Sequence, residues 1–280
     1  MFFAFIKKIY PGSFLFISLL FFLTGCESNK TYKVASQFLS LKTPRGIIPV
    51  KDSLVVPVIY TNTVSFKSLA VAEKKSKFID FILPSVLVVK HDIEQEQSLV
   101  KALKEKKLRE KKFTPEDSIL MKDLLKKYHS KNLDELEMRI KPHSTSIVLA
   151  QAAIESGWGT SHFFIRGNNV FGVWANSQTK EKIKASSSRK GKAIFVKKYL
   201  NISHSIRDYY LTLATTRAYD KFRRKRMIVS NPYTLSRFLN NYSETGSVYT
   251  KKIRSIIREN DLKKFDAYKI DPQFLEVAAD

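Results

Sequence analysis

One carboxylic acid, Glu155, lies in surroundings that suit proton-transfer chemistry. It follows an apolar run over residues 147–154, and Gly157 and Gly159 come directly after it. The run predicts a helix buried on all sides and the glycines predict its end, so Glu155 is expected in the last buried turn. Burial and the negative end of the helix dipole both disfavour the charged carboxylate and therefore raise its pKa. A general acid working near neutral pH requires such a raised pKa.

The helix that must position this carboxyl is predicted to start near Ser144. Either Ser144 or Thr145 can cap it, and Pro142 suits the chain just before it. Gln151 lies one turn before Glu155 on the same face, where its amide can orient the carboxyl. A glutamate at a helix end is most often a solvated surface residue. Here the small and aromatic neighbours and the glycine turn favour the catalytic interpretation.

Two motifs around this helix are long, ordered and specific. The first reads AQAAIESGWGTS over residues 150–161, and the second reads GNNVFGVW over residues 167–174. Together they resemble the glucosaminidase domain of glycoside hydrolase family 73, in its Bax-type bacterial branch. The sequence FIDFILP at residues 78–84 resembles that branch's FIDxxLP element. The resemblance implies that Glu155 is the catalytic general acid.

The resemblance also implies the fold, a mainly α-helical, lysozyme-like domain at residues 66–265 with a small β-hairpin lobe. The spacing of apolar residues predicts the individual elements. Besides the helix of Glu155, helices are expected at about residues 78–90, 92–112, 114–128, 132–136, 202–215, 218–228, 232–241 and 247–259. The hairpin is expected at residues 181–199.

A third motif, YSETG at residues 242–246, is followed by Tyr249 and resembles the family's YSExG signature. Taken alone, Tyr249 would be an ordinary aromatic residue on a helix. The resemblance implies that it faces the sugar beside the general acid, where a phenol can stack on the sugar and hydrogen-bond an N-acetyl group. The predicted substrate-binding residues are Gln151, Trp158, Asn169, Phe171, Tyr242 and Tyr249.

A glycosidase normally uses a second carboxylate, about 5 Å from the acid for retention or about 6.5–9.5 Å for inversion. The family places it on the hairpin lobe, but this sequence has Phe195 where relatives often carry glutamate. We predict Glu244 as the second catalytic carboxylate, because it lies in a glycine-ended turn, whereas Glu181 lies in a Lys- and Ser-rich loop. A helix cap is an alternative role for Glu244, and the substrate's own acetamido group is an alternative nucleophile.

Residues 1–26 predict an exported lipoprotein. Lys7 and Lys8 precede a short apolar run over residues 14–23, and the sequence LTGC then ends at Cys26. This pattern resembles a bacterial lipoprotein signal, which implies cleavage before Cys26 and attachment to the membrane through a lipid on that residue. Cys26 is also the only cysteine, so an internal disulfide is excluded.

The segments that flank the domain are predicted to be loosely attached. Residues 27–65 mix polar residues with short apolar pieces and are expected to be a tether with one strand-like segment at about residues 53–60. Residues 266–280 are expected to be a C-terminal tail. If the cell is Gram-negative, Glu27 directly after the cysteine favours the outer membrane as the location. The protein would then be lipid-anchored in the cell envelope and face the periplasm.

The chain is strongly basic, with a formal charge of +23 over 280 residues, or +21 once the two signal lysines are lost (23 − 2). Such a charge predicts attraction to polyanions. An exported lipoprotein rarely meets nucleic acid, so peptidoglycan glycan strands and lipid headgroups are the expected partners. No glycine-rich phosphate loop and no histidine pair with zinc spacing is present, so no metal or other cofactor is predicted. Nothing in the sequence indicates an oligomeric state.

These observations predict a peptidoglycan hydrolase that cleaves a β-1,4 glycosidic bond after N-acetylglucosamine. Two enzymatic alternatives are a muramidase and a lytic transglycosylase, since both also use one glutamate in a lysozyme-like fold. Two others are a non-catalytic cell-wall-binding lipoprotein and a structural link between envelope and wall. The departure at Phe195 favours loss of turnover, whereas the intact sequence from Glu155 to Gly159 favours an enzyme.

Overall fold

A computed structural model describes residues 31–189 and 192–278. The predicted signal segment with Cys26 lies outside these residues. The helices are α1 Val71–Leu108, α2 Pro115–Lys127, α3 Leu133–Ile140, α4 Thr145–Ser156, α5 His162–Gly167, α6 Ile202–Thr215, α7 Asp220–Ile228, α8 Pro232–Leu235 and α9 Ser247–Glu259. Short 3-10 helices occupy Pro44–Gly46, Arg217–Tyr219, Ser236–Tyr242, Leu262–Ala267 and Pro272–Phe274. The strands are β1 Tyr32–Val34, β2 Gln37–Leu39, β3 Leu54–Val55, β4 Val58–Tyr60, β5 Lys182–Arg189, β6 Lys192–Lys197, β7 Lys269–Ile270 and β8 Leu275–Val277.

The helical architecture with its hairpin confirms the predicted mainly α fold class. Strands β5 and β6 pair antiparallel as the small lobe, and Trp174 forms an isolated bridge to Val196 of β6. Helix α2 begins with a reciprocal capping box, in which the side chains of Thr114 and Asp117 each accept from the other's backbone N–H. In the described part of the chain, no helix has both the length and the apolar composition needed to cross a bilayer.

Helix α1 is a single helix of 38 residues, although the sequence analysis divided it in two. The charged second half carries a buried stripe that continues from the first half through Ile93, Val100 and Leu103. Because the stripe keeps helical spacing, the same face stays in the core and the helix does not end. Pro84 lies inside α1 and is buried. It has no N–H, so one helical hydrogen bond is missing there, but its ring packs in the core.

Helix α4 passes through the centre of the domain, as the sequence predicts. Its N-cap residue is Ser144, but the Ser144 side chain makes no capping hydrogen bond. Asp266 caps the helix instead, because its carboxylate accepts from the Ser146 backbone N–H at 2.7 Å and from the Ser146 hydroxyl at 2.9 Å. At the other end Gly157 takes the left-handed conformation, with φ of 57°, and stops the helix directly after Glu155 and Ser156.

The segment predicted as a tether is part of the folded body, so that prediction is wrong for residues 31–65. Strand β2 pairs parallel with β4, and Tyr60 is fully buried, with its ring stacked on Phe81 of α1 at 4.9 Å between centroids. Phe66, directly after this segment, is also fully buried and packs against Phe78, Phe81 and Phe164. The chain therefore begins its core well before residue 66.

The predicted C-terminal tail is likewise attached, so the 266–280 prediction is wrong over its described part. Strand β7 pairs parallel with β3, and β8 pairs antiparallel with β1, so that Tyr32 lies opposite Val277. Each of these strands has two or three residues, which is too short for an alternating pattern to be detectable in sequence. The N-terminal and C-terminal segments therefore pair with each other through these strands, next to α1.

Candidate active site

The Glu155 carboxyl lies at the C-terminal end of α4, partly buried. Its Oε1 atom accepts a hydrogen bond from the Tyr249 hydroxyl at 2.5 Å. Among residues 31–189 and 192–278, Tyr249 is its only hydrogen-bonding partner, so the second carboxyl oxygen, Oε2, is left for a ligand. Burial raises the pKa of Glu155, and the Tyr249 hydrogen bond and the charge of Lys252 partly oppose this. The raised pKa favours the protonated carboxyl, which is the form that can donate a proton.

Tyr249 reaches Glu155 from α9, which follows the YSETG turn. Gly246 is the cap residue of α9 and has a positive φ of 54°, so the turn uses glycine where a side chain would be strained. The Tyr249 ring is stacked on the Tyr242 ring, with 5.5 Å between centroids and an angle of 8°. Burial and the nearby Glu155 charge raise the Tyr249 pKa, so this phenol stays protonated and acts as a donor.

Gln151 is fully buried and both ends of its amide are engaged. Its Nε2 donates to the Tyr249 hydroxyl at 3.1 Å, and its Oε1 accepts from the Tyr209 hydroxyl at 2.6 Å. Gln151 has no exposed surface, and both its amide nitrogen and its amide oxygen are hydrogen-bonded, so the structure favours a positioning role over the predicted substrate contact. That role agrees with the expectation that this amide orients the carboxyl, although it does so through Tyr249.

Asn169 and Phe171 are also buried and hold the chain rather than a ligand, so their predicted substrate contacts are corrected. The Asn169 side chain exchanges hydrogen bonds with the Val173 backbone N–H and carbonyl, and donates to the Lys197 carbonyl at 2.8 Å. It thereby ties the GNNVFGVW turn to β6. Phe171 stacks on Tyr209 with 4.2 Å between ring centroids.

Trp158 follows Glu155 in a turn of unusual backbone. Gly157, Trp158 and Gly159 all have positive φ, and for a bulky residue such as tryptophan that conformation is strained. The indole packs edge-on against Phe78 at 5.6 Å, and the Lys75 ammonium lies 5.2 Å from its centroid. Trp158 and Tyr242 are both partly exposed, so each has surface that a substrate could contact. Their roles in substrate binding remain predictions.

The candidates for a second carboxylate lie on the surface. Glu244 is exposed in the turn before α9, and Glu181 is exposed beside Lys198, with 3.7 Å between their charged atoms. Phe195 lies in β6 with the Lys182 ammonium over its ring. Among the described residues, no second carboxylate contributes to the shifted pKa of Glu155. Two carboxylates in direct contact would raise each other's pKa, so the structure shows no close dyad around Glu155.

Three residues near the site were not selected from the sequence. Tyr209 contacts Gln151, and His143 in turn bonds to the Tyr209 hydroxyl, with 2.9 Å between Nε2 and Oη. Nothing in the sequence distinguished Tyr209 or His143, because both look like ordinary core residues. Trp174 is 54% exposed on the hairpin side, where an exposed indole can stack on a sugar. Its position at the end of GNNVFGVW was the available signal.

A cleft of about 530 Å³ lies away from Glu155, at the N-terminal end of α4. His143, Lys141, Arg226 and Asp266 are among the residues that line it. Over the described ranges, no group of three histidine, cysteine or acidic side chains is arranged to hold a metal ion. Near Glu155 the structure places a partly buried acid, a phenol donor and aromatic surfaces.

The partly buried acid at the end of the central helix faces a tyrosine from the last long helix, an arrangement that fits a glycoside hydrolase. Residues 131–262 match the family model Glucosaminidase, described as mannosyl-glycoprotein endo-beta-N-acetylglucosaminidase. The match covers slightly less than half of the chain, and over that range it confirms the resemblance found in the motifs.

Among individual proteins, the chain is similar to Protein bax of Escherichia coli, with 25% identity over 162 residues. That match covers 53% of this chain and 57% of the relative, so the chain spans little more than half the length of the curated relative it matches. Two solved structures are also similar. The catalytic domain of the autolysin Auto from Listeria monocytogenes is 22% identical, with a TM-score of 0.37 and coverage of 61% of this chain and 86% of that one. The glycoside hydrolase domain of FlgJ from Salmonella typhimurium is 24% identical, with a TM-score of 0.35 and coverage of 51% and 90%.

Proposed function

We propose that this protein is a peptidoglycan hydrolase that cleaves a β-1,4 glycosidic bond after N-acetylglucosamine, with Glu155 as the general acid. The observation that carries the proposal is the Glu155 carboxyl, whose pKa is raised by burial while one oxygen accepts from Tyr249. The glucosaminidase family match over residues 131–262 supports the same substrate class.

The proposed reaction follows from the state of the carboxyl. The Oε2–H proton passes to the glycosidic oxygen as the bond from that oxygen to the sugar C1 breaks. A water molecule supplies hydroxyl to C1, and the proton that this water loses goes to a carboxylate base, Glu244 in the two-carboxylate mechanism. Glu155 is left as a carboxylate. Tyr249 stabilises this charged form through its hydrogen bond. The hydrogen bond therefore opposes the rise in the Glu155 pKa that burial causes. The lysine at position 252 adds a favourable charge.

The test is mass spectrometry of purified cell wall after incubation with residues 27–280. New reducing ends on N-acetylglucosamine would support the proposal. Reducing ends on N-acetylmuramic acid would instead identify a muramidase. Intact wall that co-sediments with the protein would identify a binding protein without turnover.

A lytic transglycosylase is the second candidate, and one observation favours it. In the described part of the chain, no second carboxylate shifts the pKa of Glu155, and a transglycosylase needs only one. Its product carries a 1,6-anhydro end, because an internal hydroxyl replaces water at C1. The same mass spectra therefore separate the two candidates by the loss of one water from the product.

The second-carboxylate prediction is tested by Glu244→Gln. The turn of Glu244 is held by Ser243, whose carbonyl accepts from Gly246 N–H at 3.0 Å and whose hydroxyl accepts from Thr245 N–H at 3.3 Å. A group in such a fixed turn can act as base, so we expect a rate loss of about 100-fold that azide partly restores, measured by wall solubilisation. The alternative role as a helix cap would show as a lowered melting temperature without azide rescue.

The matched control for that experiment is Glu181→Gln, which changes an equally exposed glutamate on the hairpin. We expect its rate to stay near that of the wild type. Unchanged rates in both variants would contradict the two-carboxylate mechanism and leave the substrate's acetamido group as the nucleophile.

We propose further that the protein is a lipoprotein of the cell envelope, anchored through Cys26 in the outer membrane and facing the periplasm. The supporting observation is the LTGC sequence after a short apolar run. Cys26→Ser should move the protein from the membrane to the soluble fraction, since stable anchoring needs the acyl chains. The measurement is fractionation with immunoblotting. A variant that stays in the membrane with its first 25 residues intact would contradict cleavage and lipidation.

A further inference from the structure

A continuous line of hydrogen bonds runs through the core and ends at Glu155. It starts at His143, whose Nε2 lies 2.9 Å from the Tyr209 hydroxyl. Tyr209 donates to Gln151 Oε1 at 2.6 Å, and Gln151 Nε2 donates to the Tyr249 hydroxyl at 3.1 Å. Tyr249 then donates to Glu155 Oε1 at 2.5 Å. The line joins the cleft at one end of α4 to the carboxyl at the other.

Each bond in this line has a defined direction. An amide presents two donors at Nε2 and only acceptors at Oε1, so the orientation of Gln151 decides both of its neighbours. Because Tyr209 donates to Oε1, its own oxygen must accept from His143. Because Tyr249 accepts from Nε2, its single hydrogen is directed towards Glu155.

The histidine at the start of the line has one suitable tautomer. His143 Nδ1 is buried and has no hydrogen-bonding partner among the described residues. A hydrogen on that atom would be an orphaned buried donor and would leave Nε2 facing the Tyr209 oxygen without a hydrogen between them. The hydrogen therefore lies on Nε2. Burial, with the charges of Arg226 and Lys90, lowers the pKa of His143 well below its usual value, so the ring stays neutral.

Aromatic stacking holds the two phenols of the line in place. Phe171 stacks on Tyr209 at 4.2 Å, and Tyr242 stacks on Tyr249 at 5.5 Å. Stacking against a neighbouring ring holds each phenol in place and so keeps its hydroxyl oxygen at one position relative to its partners. The GNNVFGVW and YSETG motifs thus each contribute a ring that clamps this line.

We propose that His143, Tyr209 and Gln151 are positioning residues which fix the Tyr249 hydroxyl as donor to Glu155 Oε1. The proton of the acid is thereby confined to Oε2, the oxygen left for the glycosidic bond. The line selects which carboxyl oxygen reacts, and it does so from residues that do not touch the substrate. This inference deepens the proposed function and rests on it for the identity of the reaction.

Cutting the line at Tyr209 has a defined consequence. Without the Tyr209 hydroxyl, Gln151 loses the donor that fixes its orientation, and the amide can turn its oxygen towards Tyr249. Tyr249 would then donate to Gln151 and not to Glu155. The carboxylate form of Glu155 loses stabilisation, so its pKa rises further. The titratable groups that face this carboxyl are Tyr249 and Lys252 from α9, with Tyr219 and Tyr242 close by, and none of them is altered.

The test compares Tyr209→Phe with Tyr210→Phe in kinetics on purified cell wall. Both changes remove one buried hydroxyl from neighbouring positions of α6, but the Tyr210 hydroxyl has no partner in the described part of the chain. For Tyr209→Phe we expect kcat to fall about three- to tenfold with KM within about twofold. The alkaline limb of its pH profile should move up by roughly half a unit, because activity is lost as Glu155 deprotonates. Tyr210→Phe should match the wild type in all three.

A double-mutant cycle identifies the route. If Tyr209 acts through Gln151, then Tyr209→Phe should cause no further loss in a Gln151→Met background, since the amide is already gone. Additive losses would overturn the proposal, because Tyr209 would then act by another path. Equal effects of Tyr209→Phe and Tyr210→Phe would overturn it too, since they would show a general cost of altering α6.

A titration without substrate separates this inference from the proposed function. With ¹³C-labelled glutamate, the carboxyl signal of Glu155 is followed by NMR against pH in the wild type and in Tyr209→Phe. An upward shift of the midpoint supports the hydrogen-bonded line even if the protein cleaves no glycan, which would refute only the proposed function. An unmoved midpoint overturns the inference even if the wild type is an active hydrolase.

Discussion

Glu155→Gln is expected to reduce cell-wall hydrolysis by about a thousandfold while the fold is retained. The amide keeps the shape of the side chain, and its oxygen can still accept from Tyr249, but it has no acidic proton to give to the leaving oxygen. The measurement is the release of soluble glycan fragments, with circular dichroism to confirm the fold. Near wild-type hydrolysis by the variant would show that Glu155 is not the acid.

The matched control is Asp266→Asn, at the other end of α4. Burial raises the pKa of Asp266 as well, and the substituted amide oxygen can still accept from the Ser146 N–H. We expect nearly full activity from this variant. A similar loss in both variants would mean that removing any buried carboxyl from this helix disturbs the site.

Glu155→Gln is also expected to change how the stability of the protein depends on pH. The folded state raises the pKa of Glu155, so it binds this proton more tightly than the unfolded chain does. The contribution to stability is fully present below the unfolded pKa and is lost as pH rises through the folded pKa. Glu155→Gln does not titrate. The melting temperature of Glu155→Gln minus that of the wild type should therefore increase as pH rises from acid to neutral. A difference that stays constant across this range would contradict the raised pKa.

Phe66→Ala is expected to lower the free energy of unfolding by about 3–5 kcal/mol, because it leaves a cavity at a fully buried position. Its ring lies 5.8 Å from Phe81 and 6.0 Å from Phe164 between centroids, so it joins α1 to α5. It also backs the turn after Glu155, since a Cβ at Gly159 would come within 2.5 Å of this ring. The measurement is denaturant unfolding followed by circular dichroism.

The control for Phe66 lies in the segment that precedes it. Phe38 of β2 is 62% exposed, and Phe38→Ala should change stability by no more than about 0.5 kcal/mol. Equal and small losses in the two variants would contradict the role of Phe66 in the core. A large loss confined to Phe66→Ala would support it.

The central helix and its acid could be predicted because their signals are local. A nearly continuous apolar run with a glycine stop specifies α4 and places Glu155 in its last turn, as the structure shows. Helix α9 was equally clear from its apolar spacing, and its limits agree with the prediction at Ser247 and Glu259. For α9 the helix period alone determines which face is buried.

The flanking strands and the polar core could not be predicted because their signals are not local. Strand β1 pairs with β8 across almost the whole chain, and neither strand has enough residues to show a pattern. His143 and Tyr209 are separated by 66 residues, so their hydrogen bond exists only after α4 and α6 have packed. For the same reason Gln151 was assigned to substrate, since the partners that saturate its amide lie on other helices.

The pairing of Tyr32 with Val277 limits how far the body could travel from a lipid on Cys26. Five residues, 27–31, lie between Cys26 and Tyr32, so the chain takes six residue steps from one to the other. A fully extended chain covers about 3.3–3.6 Å per residue, so this connection is at most roughly 20 Å long. A 40-residue flexible tether would have let the domain search the depth of the envelope. If Cys26 carries the proposed lipid, this short connection would hold Tyr32 within roughly that distance of the bilayer, so glycan close to the membrane surface would be the accessible substrate. Lengthening residues 27–31 is then the change that would widen the working range without touching the site.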